Sequence, residues 1–218
     1  MDIEGIYMRR VAVIFVLAVM TLGIAGCGQG QAPETNSLSF DKEGGITHKI
    51  VGKSDQSYYQ INSADLESFA TERVAEYCAE NGESKVILET VDEKDGSLML
   101  EFKYASPGDY SEFNHRKLYV GTLTGASEEG YELEAVPFVS TDGHAAEVGY
   151  IEDWDAKRLI ILETKSGEEM FVNLPGKTLF VNQDAHSGQK ITLVGKKGVQ
   201  IGNQEEEGTT SFSYIIYE

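Results

Sequence analysis

The chain has 218 residues, with 36 acids against 18 bases and a formal charge of −18. Hydrophobic residues make up 41% and charged residues 25%, a balance that excludes disorder and allows one domain or two small ones. The acidity argues against nucleic acid as a partner, because phosphate binding needs clustered Lys and Arg.

The first stretch reads as an address. Met8-Arg9-Arg10 is a short basic start, and Val11 to Ile24 is apolar apart from Thr21 and Gly23. Ile24-Ala25-Gly26-Cys27 follows. A basic start, an apolar run and small residues before a cleavage point make a secretory signal. As a helix the apolar run spans about 21 Å, short of the ~30 Å hydrocarbon core, so a signal is expected rather than a membrane span. Asp2 and Glu4 oppose a positive start, which favours translation from Met8 over Met1.

Ile24, Ala25, Gly26 and Cys27 resemble the lipobox of bacterial lipoprotein precursors, an apolar residue and two small ones ahead of a cysteine. The resemblance implies diacylglyceryl transfer to the Cys27 sulfur and cleavage between Gly26 and Cys27. Residues 1–26 are then the signal peptide and 27–36 a lipidated tether. Two or more acyl chains, palmitate among them, anchor a protein stably at about 0.8 kcal/mol per buried methylene. The expected location is the extracytoplasmic face of the cell membrane. The expected partners are the membrane, through the covalent lipid, and an envelope protein or glycan. Gly28 to Asn36 is polar and contains Gly and Pro. Its nine residues reach about 30 Å extended and nearer 16 Å as a coil, keeping the body close to the membrane.

Ser37–Asp41 and Ile46–Val51 flank Gly44-Gly45 and predict a β-hairpin. Ser63 to Asn81 predicts the main helix, with Ser63 as N-cap and Asn81-Gly82 as its stop. Leu66, Phe69, Ala70, Val74, Tyr77 and Cys78 recur at helical spacing and predict one buried stripe. With Cys27 lipidated, Cys78 has no disulfide partner and is expected to act as a small buried hydrophobe. Glu72, Glu76 and Glu80 form a row on the same helix and read as a solvated face.

Val86–Val91 and Ser97–Tyr104, joined around Asp95-Gly96, predict a second hairpin. Ser106-Pro107 caps a short helix reaching Asn114. Lys117–Thr124 fits either strand or helix. Ser140 to Asp155 reads as a long connection. Arg158–Glu163 and Glu169–Asn173 around Lys165-Ser166-Gly167 predict a third hairpin. Thr178–Val181, Lys190–Val194, Val199–Ile201 and Ser211–Tyr217 complete a β-rich end. The expected class is α+β: one main amphipathic helix packed on antiparallel hairpins over 37–140, then a β-rich subdomain over 141–218.

Tyr104-Ala105-Ser106-Pro107-Gly108-Asp109-Tyr110, Phe113-Asn114, Leu174-Pro175-Gly176-Lys177 and Tyr214-Ile215-Ile216-Tyr217 together resemble a group of uncharacterised lipoproteins from anaerobic Gram-positive bacteria. The resemblance implies a lipid-anchored extracytoplasmic protein and carries no activity.

The chemical motifs are weak. His48, His115, His144 and His186 form no H-E-x-x-H or close pair. Gly176-Lys177-Thr178 has Phe171 where a P-loop needs Gly. Ser187-Gly188-Gln189-Lys190 has S-x-x-K spacing without the partner motifs of acylating serine enzymes. Asp92 to Gly96 puts Lys94 at a calcium-ligand position and reads as a turn. Asp153-Trp154-Asp155 holds the only Trp between two acids, which suits stacking on a sugar or binding a cation, or anchoring a loop to the core. No cofactor and no metal are expected. The expected function is a non-catalytic binding or envelope-associated module. The alternative is a wall-directed hydrolase using paired carboxylates.

Overall fold

Apolar residues alternating with polar ones build thirteen β-strands against three α-helices among the described residues. The computed structural model describes residues 35–53, 62–94, 96–147, 149, 151, 153–183, 188–203 and 209–218. The first sheet has seven strands in the order β11-β12-β9-β1-β2-β4-β3. These are β1 (Ser37–Phe40), β2 (Ile46–Lys53), β3 (Val86–Lys94), β4 (Ser97–Tyr104), β9 (Glu169–Asn173), β11 (Gln189–Val194) and β12 (Gly198–Asn203). The second has six in the order β5-β8-β13-β10-β6-β7. They are β5 (Leu118–Thr122), β6 (Phe138–Ser140), β7 (Ala145–Ala146), β8 (Arg158–Lys165), β10 (Thr178–Asn182) and β13 (Thr210–Tyr217).

The expected α+β class is therefore corrected: the body is mostly β and β-sandwich-like. The reason is visible in β8. Leu159, Ile160, Ile161 and Leu162 are each no more than 1% exposed, so both faces of this strand are covered. Ile160 and Leu162 join Leu38, Met170, Val172 and Ile201 in a core between the sheets. Leu159 and Ile161 join Leu123, Leu133 and Phe138 in a second core on the other face of the six-stranded sheet. One helix cannot organise that much apolar surface.

The third expected hairpin is also corrected. β8 pairs with β5 and β13, whereas β9 pairs with β12 and runs parallel to β1. The turn at Lys165-Ser166-Gly167 thus carries the chain from one sheet to the other. Both sheets draw strands from either side of residue 140.

The first two expected hairpins are present as β1-β2 and β3-β4. Helix α1 spans Ser63–Asn81, and Asn62 caps it in place of Ser63: the Asn62 side chain accepts from the Asp65 amide at 2.9 Å. Its apolar stripe is thinner than the periodicity predicts. Ala70 is buried and Val74, Tyr77 and Cys78 are partly buried against the main core, but Phe69 is 59% exposed. The helix packs beside the edge strand β3, leaving a groove between them and most of its own surface in solvent. Helix α2 (Pro107–Asn114) starts at the predicted Ser106 cap and buries Tyr110 and Phe113. Lys117–Thr124 divides: Leu118–Thr122 is β5, and helix α3 (Leu123–Glu128) follows from a Thr122 cap.

Two of the motifs quoted for the lipoprotein resemblance meet in space. The Glu218 amide donates to the Lys177 carbonyl at 3.0 Å, and a Cβ on Gly176 would sit 1.6 Å from the Glu218 carbonyl oxygen. Glycine at 176 is thus required by close approach of the backbone.

A polar bridge joins the sheets at one end. Gln189 of β11 donates to the buried Ser213 hydroxyl of β13 at 2.9 Å, and its Oε1 accepts from Asn182 of β10 at 3.4 Å. Asn182 in turn accepts from the Tyr214 amide at 2.8 Å. Gln189→Leu is expected to cost about 2 kcal/mol in urea denaturation, because it removes partners from polar groups that stay buried. A cost within about 0.5 kcal/mol, the usual range for a surface change, would contradict this role.

Candidate functional site around Trp154

Between β5 and β8, helix α3 and the short turns around Leu133 and Trp154 pack on the outer side of the six-stranded sheet. Tyr119 sets the start of this stretch: the phenol donates to the Thr122 carbonyl at 2.7 Å, and its hydroxyl lies where Cβ atoms on Gly121 and Gly125 would clash. The Gly125 amide donates to the Thr122 hydroxyl at 3.0 Å and opens α3. Two short 3-10 turns follow, Leu133–Ala135 and Trp154–Ala156.

Trp154 is partly buried against the second core. Its indole N–H donates to the Thr124 hydroxyl at 3.2 Å, and that hydroxyl donates to an Asp155 carboxylate oxygen at 2.6 Å. Asp155 therefore positions Thr124, which positions the indole. Asp153 is exposed and left-handed, with φ 54°. The three residues singled out by sequence thus have different jobs, and neither aspartate lines the groove that Trp154 borders.

That groove has a volume of about 440 Å³ and is bordered by Ser127, Tyr131, Glu132, Leu133, Glu134 and Trp154 together with Ala135. Tyr131 packs against Tyr119 with ring centroids 5.5 Å apart. Burial, then the charges of Glu129 and Glu163, push the Tyr131 phenol above its ordinary value, so it stays a neutral donor. Two aromatics with two exposed carboxylates suit a ligand with an apolar face and hydroxyl or cationic groups. Tyr131, Glu132 and Glu134 were missed in the sequence, although the run Tyr131-Glu132-Leu133-Glu134 sets two exposed acids around the buried Leu133.

The other expected residues fall elsewhere. Gly26, Cys27 and His186 lie outside the described residues. Cys78 is half-buried, and its thiol donates to the Val86 carbonyl at 3.5 Å. Glu72, Glu76 and Glu80 are exposed along α1. His115 is the left-handed C-cap of α2. His144 is exposed, 3.3 Å from Asp142. The Ser140 hydroxyl, then His144, hold the Asp142 carboxyl below its usual range. His48 is 5% exposed in the main core between Tyr104 and Tyr110. Among the described residues no group of three or more His, Cys, Asp or Glu could hold a metal ion, and no helix is long and apolar enough to cross a membrane.

Searched against protein families, curated proteins and solved structures, the chain matches none of them.

Proposed function

We propose that this protein is a lipid-anchored extracytoplasmic binding module of the cell envelope. One observation carries the reading: Arg9-Arg10, the apolar run Val11 to Ile24, and Ile24-Ala25-Gly26-Cys27 stand in the order and spacing of a lipoprotein signal. The acidic body has no electrostatic attraction to an anionic bilayer, so the acyl chains at Cys27 hold it there. The Trp154 groove supplies a ligand-sized concavity, and Asp155 is engaged in positioning Thr124.

Mass spectrometry of the full chain purified from bacterial membranes tests the anchor. The expected N-terminal peptide begins at Cys27 and carries diacylglyceryl mass. A peptide running intact through Gly26 and Cys27, without added mass, overturns the proposal. Incubation of the same material with purified cell wall tests the non-catalytic half. Release of soluble wall fragments would favour the hydrolase instead.

A further inference from the structure

A second concavity lies between α1 and β3. It measures about 470 Å³ and is floored by Val74, Val86, Leu88 and Val91. Ile87, 40% exposed, stands beside them. The charged residues bordering it are Glu67, Glu83 and Glu89, with no Lys or Arg among its lining side chains. Glu89 is held by Lys103 at 3.1 Å, while Glu67 and Glu83 stand exposed at the rim.

The groove runs along a sheet edge. β3 ends the order of the seven-stranded sheet, so among the described residues β4 is its one neighbouring strand. The Ala105 amide donates to the Lys85 carbonyl at 3.0 Å, which turns Lys85 toward β4. Carbonyls alternate along a strand, so Val86 turns the opposite way, where the Cys78 thiol meets it at 3.5 Å. Val86 to Val91 line the groove, and a register shift between Leu88 and Thr90 lets Leu88 and Val91 face the same side, opposite Phe102 and Leu100.

We propose that this edge takes an extended basic peptide segment, which adds to the seven-stranded sheet as an eighth strand. Backbone groups of β3 supply the pairing, Leu88 and Val91 receive alternate apolar side chains, and Glu67 and Glu83 receive Lys or Arg. Charge selects the occupant. A second copy would set Glu89, Asp92 and Glu93 of one β3 against the same acids of another, with Lys94 the one base in the strand and Lys103 already paired to Glu89. The chain's own segments 28–34 and 54–61 each hold one acid, Glu34 and Asp55, and no base. The inference deepens the binding-module reading by naming a partner class, and it does not require the lipid.

The probe is a nine-residue peptide of alternating Lys and Val, mixed with the full-length protein. Hydrogen exchange is expected to slow in residues 87–93, with affinity falling as salt rises. A control peptide with Pro for the central Val keeps the charge but breaks the strand, and should bind about tenfold more weakly. Glu67→Gln combined with Glu83→Gln, both exposed, should weaken the Lys-Val peptide about fivefold while leaving thermal stability unchanged. Equal binding of the Pro peptide, protection outside 87–93, or no effect of the Gln pair overturns the proposal. A dimer in sedimentation with β3 protected overturns it in favour of a second copy. Failure of the probe with acyl mass present on Cys27 refutes the edge site alone. Binding without acyl mass refutes the anchor alone.

Discussion

Arg116→Ala is expected to destabilise the protein by about 2 kcal/mol, less than breaking a fully buried ion pair costs, because both partners keep some exposure. Arg116 Nη1 pairs with Glu168 Oε1, and their side chains are 19% and 12% exposed. The other Glu168 oxygen accepts from the Lys165 amide at 3.0 Å. Glu168 thus sits in the turn that carries the chain from β8 to β9, and Arg116 follows the left-handed cap of α2. Alanine at 116 leaves a carboxylate shielded from water without its counter-charge. Chemical denaturation of the single variants and of Arg116→Met with Glu168→Leu checks this. The double variant should recover most of the loss, because two packed apolar groups replace two charges. A double variant as unstable as Arg116→Ala would show that the cost lies in packing.

The second large effect is a dependence on acid. Burial, then the Arg116 charge, lowers the His48 imidazole from 6.5 to about 4. Its Nδ1 and the Tyr110 hydroxyl have no hydrogen-bond partner among the described residues. The unfolded chain binds the His48 proton near pH 6.5, the folded one near 4. Stability from this group is therefore full above pH 6.5, falls as pH drops toward 4, and changes no further below. The loss amounts to about 3 kcal/mol over that window. His48→Phe keeps a ring against Tyr104 and Tyr110 and cannot titrate. Urea midpoints between pH 7 and 4 should fall less steeply in the variant by about that amount, while carboxylate effects cancel between the two proteins. Parallel curves would contradict the assignment.

Local chemistry made much of the fold legible. Gly44-Gly45 and Gly96 marked two hairpins, and Ser106-Pro107 and Asn81-Gly82 marked helix ends within a residue or two. What stayed hidden was pairing at a distance. Lys165-Ser166-Gly167 satisfies a tight turn whether the next strand folds back beside β8 or crosses to the facing sheet, and the parallel β1-β9 contact leaves no mark near either strand. The apolar period of α1 was visible, but not that its Phe69 side would have nothing described to cover it. At the candidate site, Trp154 was conspicuous as a lone indole. The roles of Thr124 and Asp155 depend on two segments 30 residues apart meeting in space.

The last described strand holds the six-stranded sheet together. β13 lies between β8 and β10, and the β5-β8 and β10-β6-β7 halves touch through it. Until β13 emerges, the facing edges of β8 and β10 have no strand between them to pair with. A polypeptide read from its amino end therefore cannot complete this layer early in synthesis. Such a nascent chain keeps this layer open until β13 has been made.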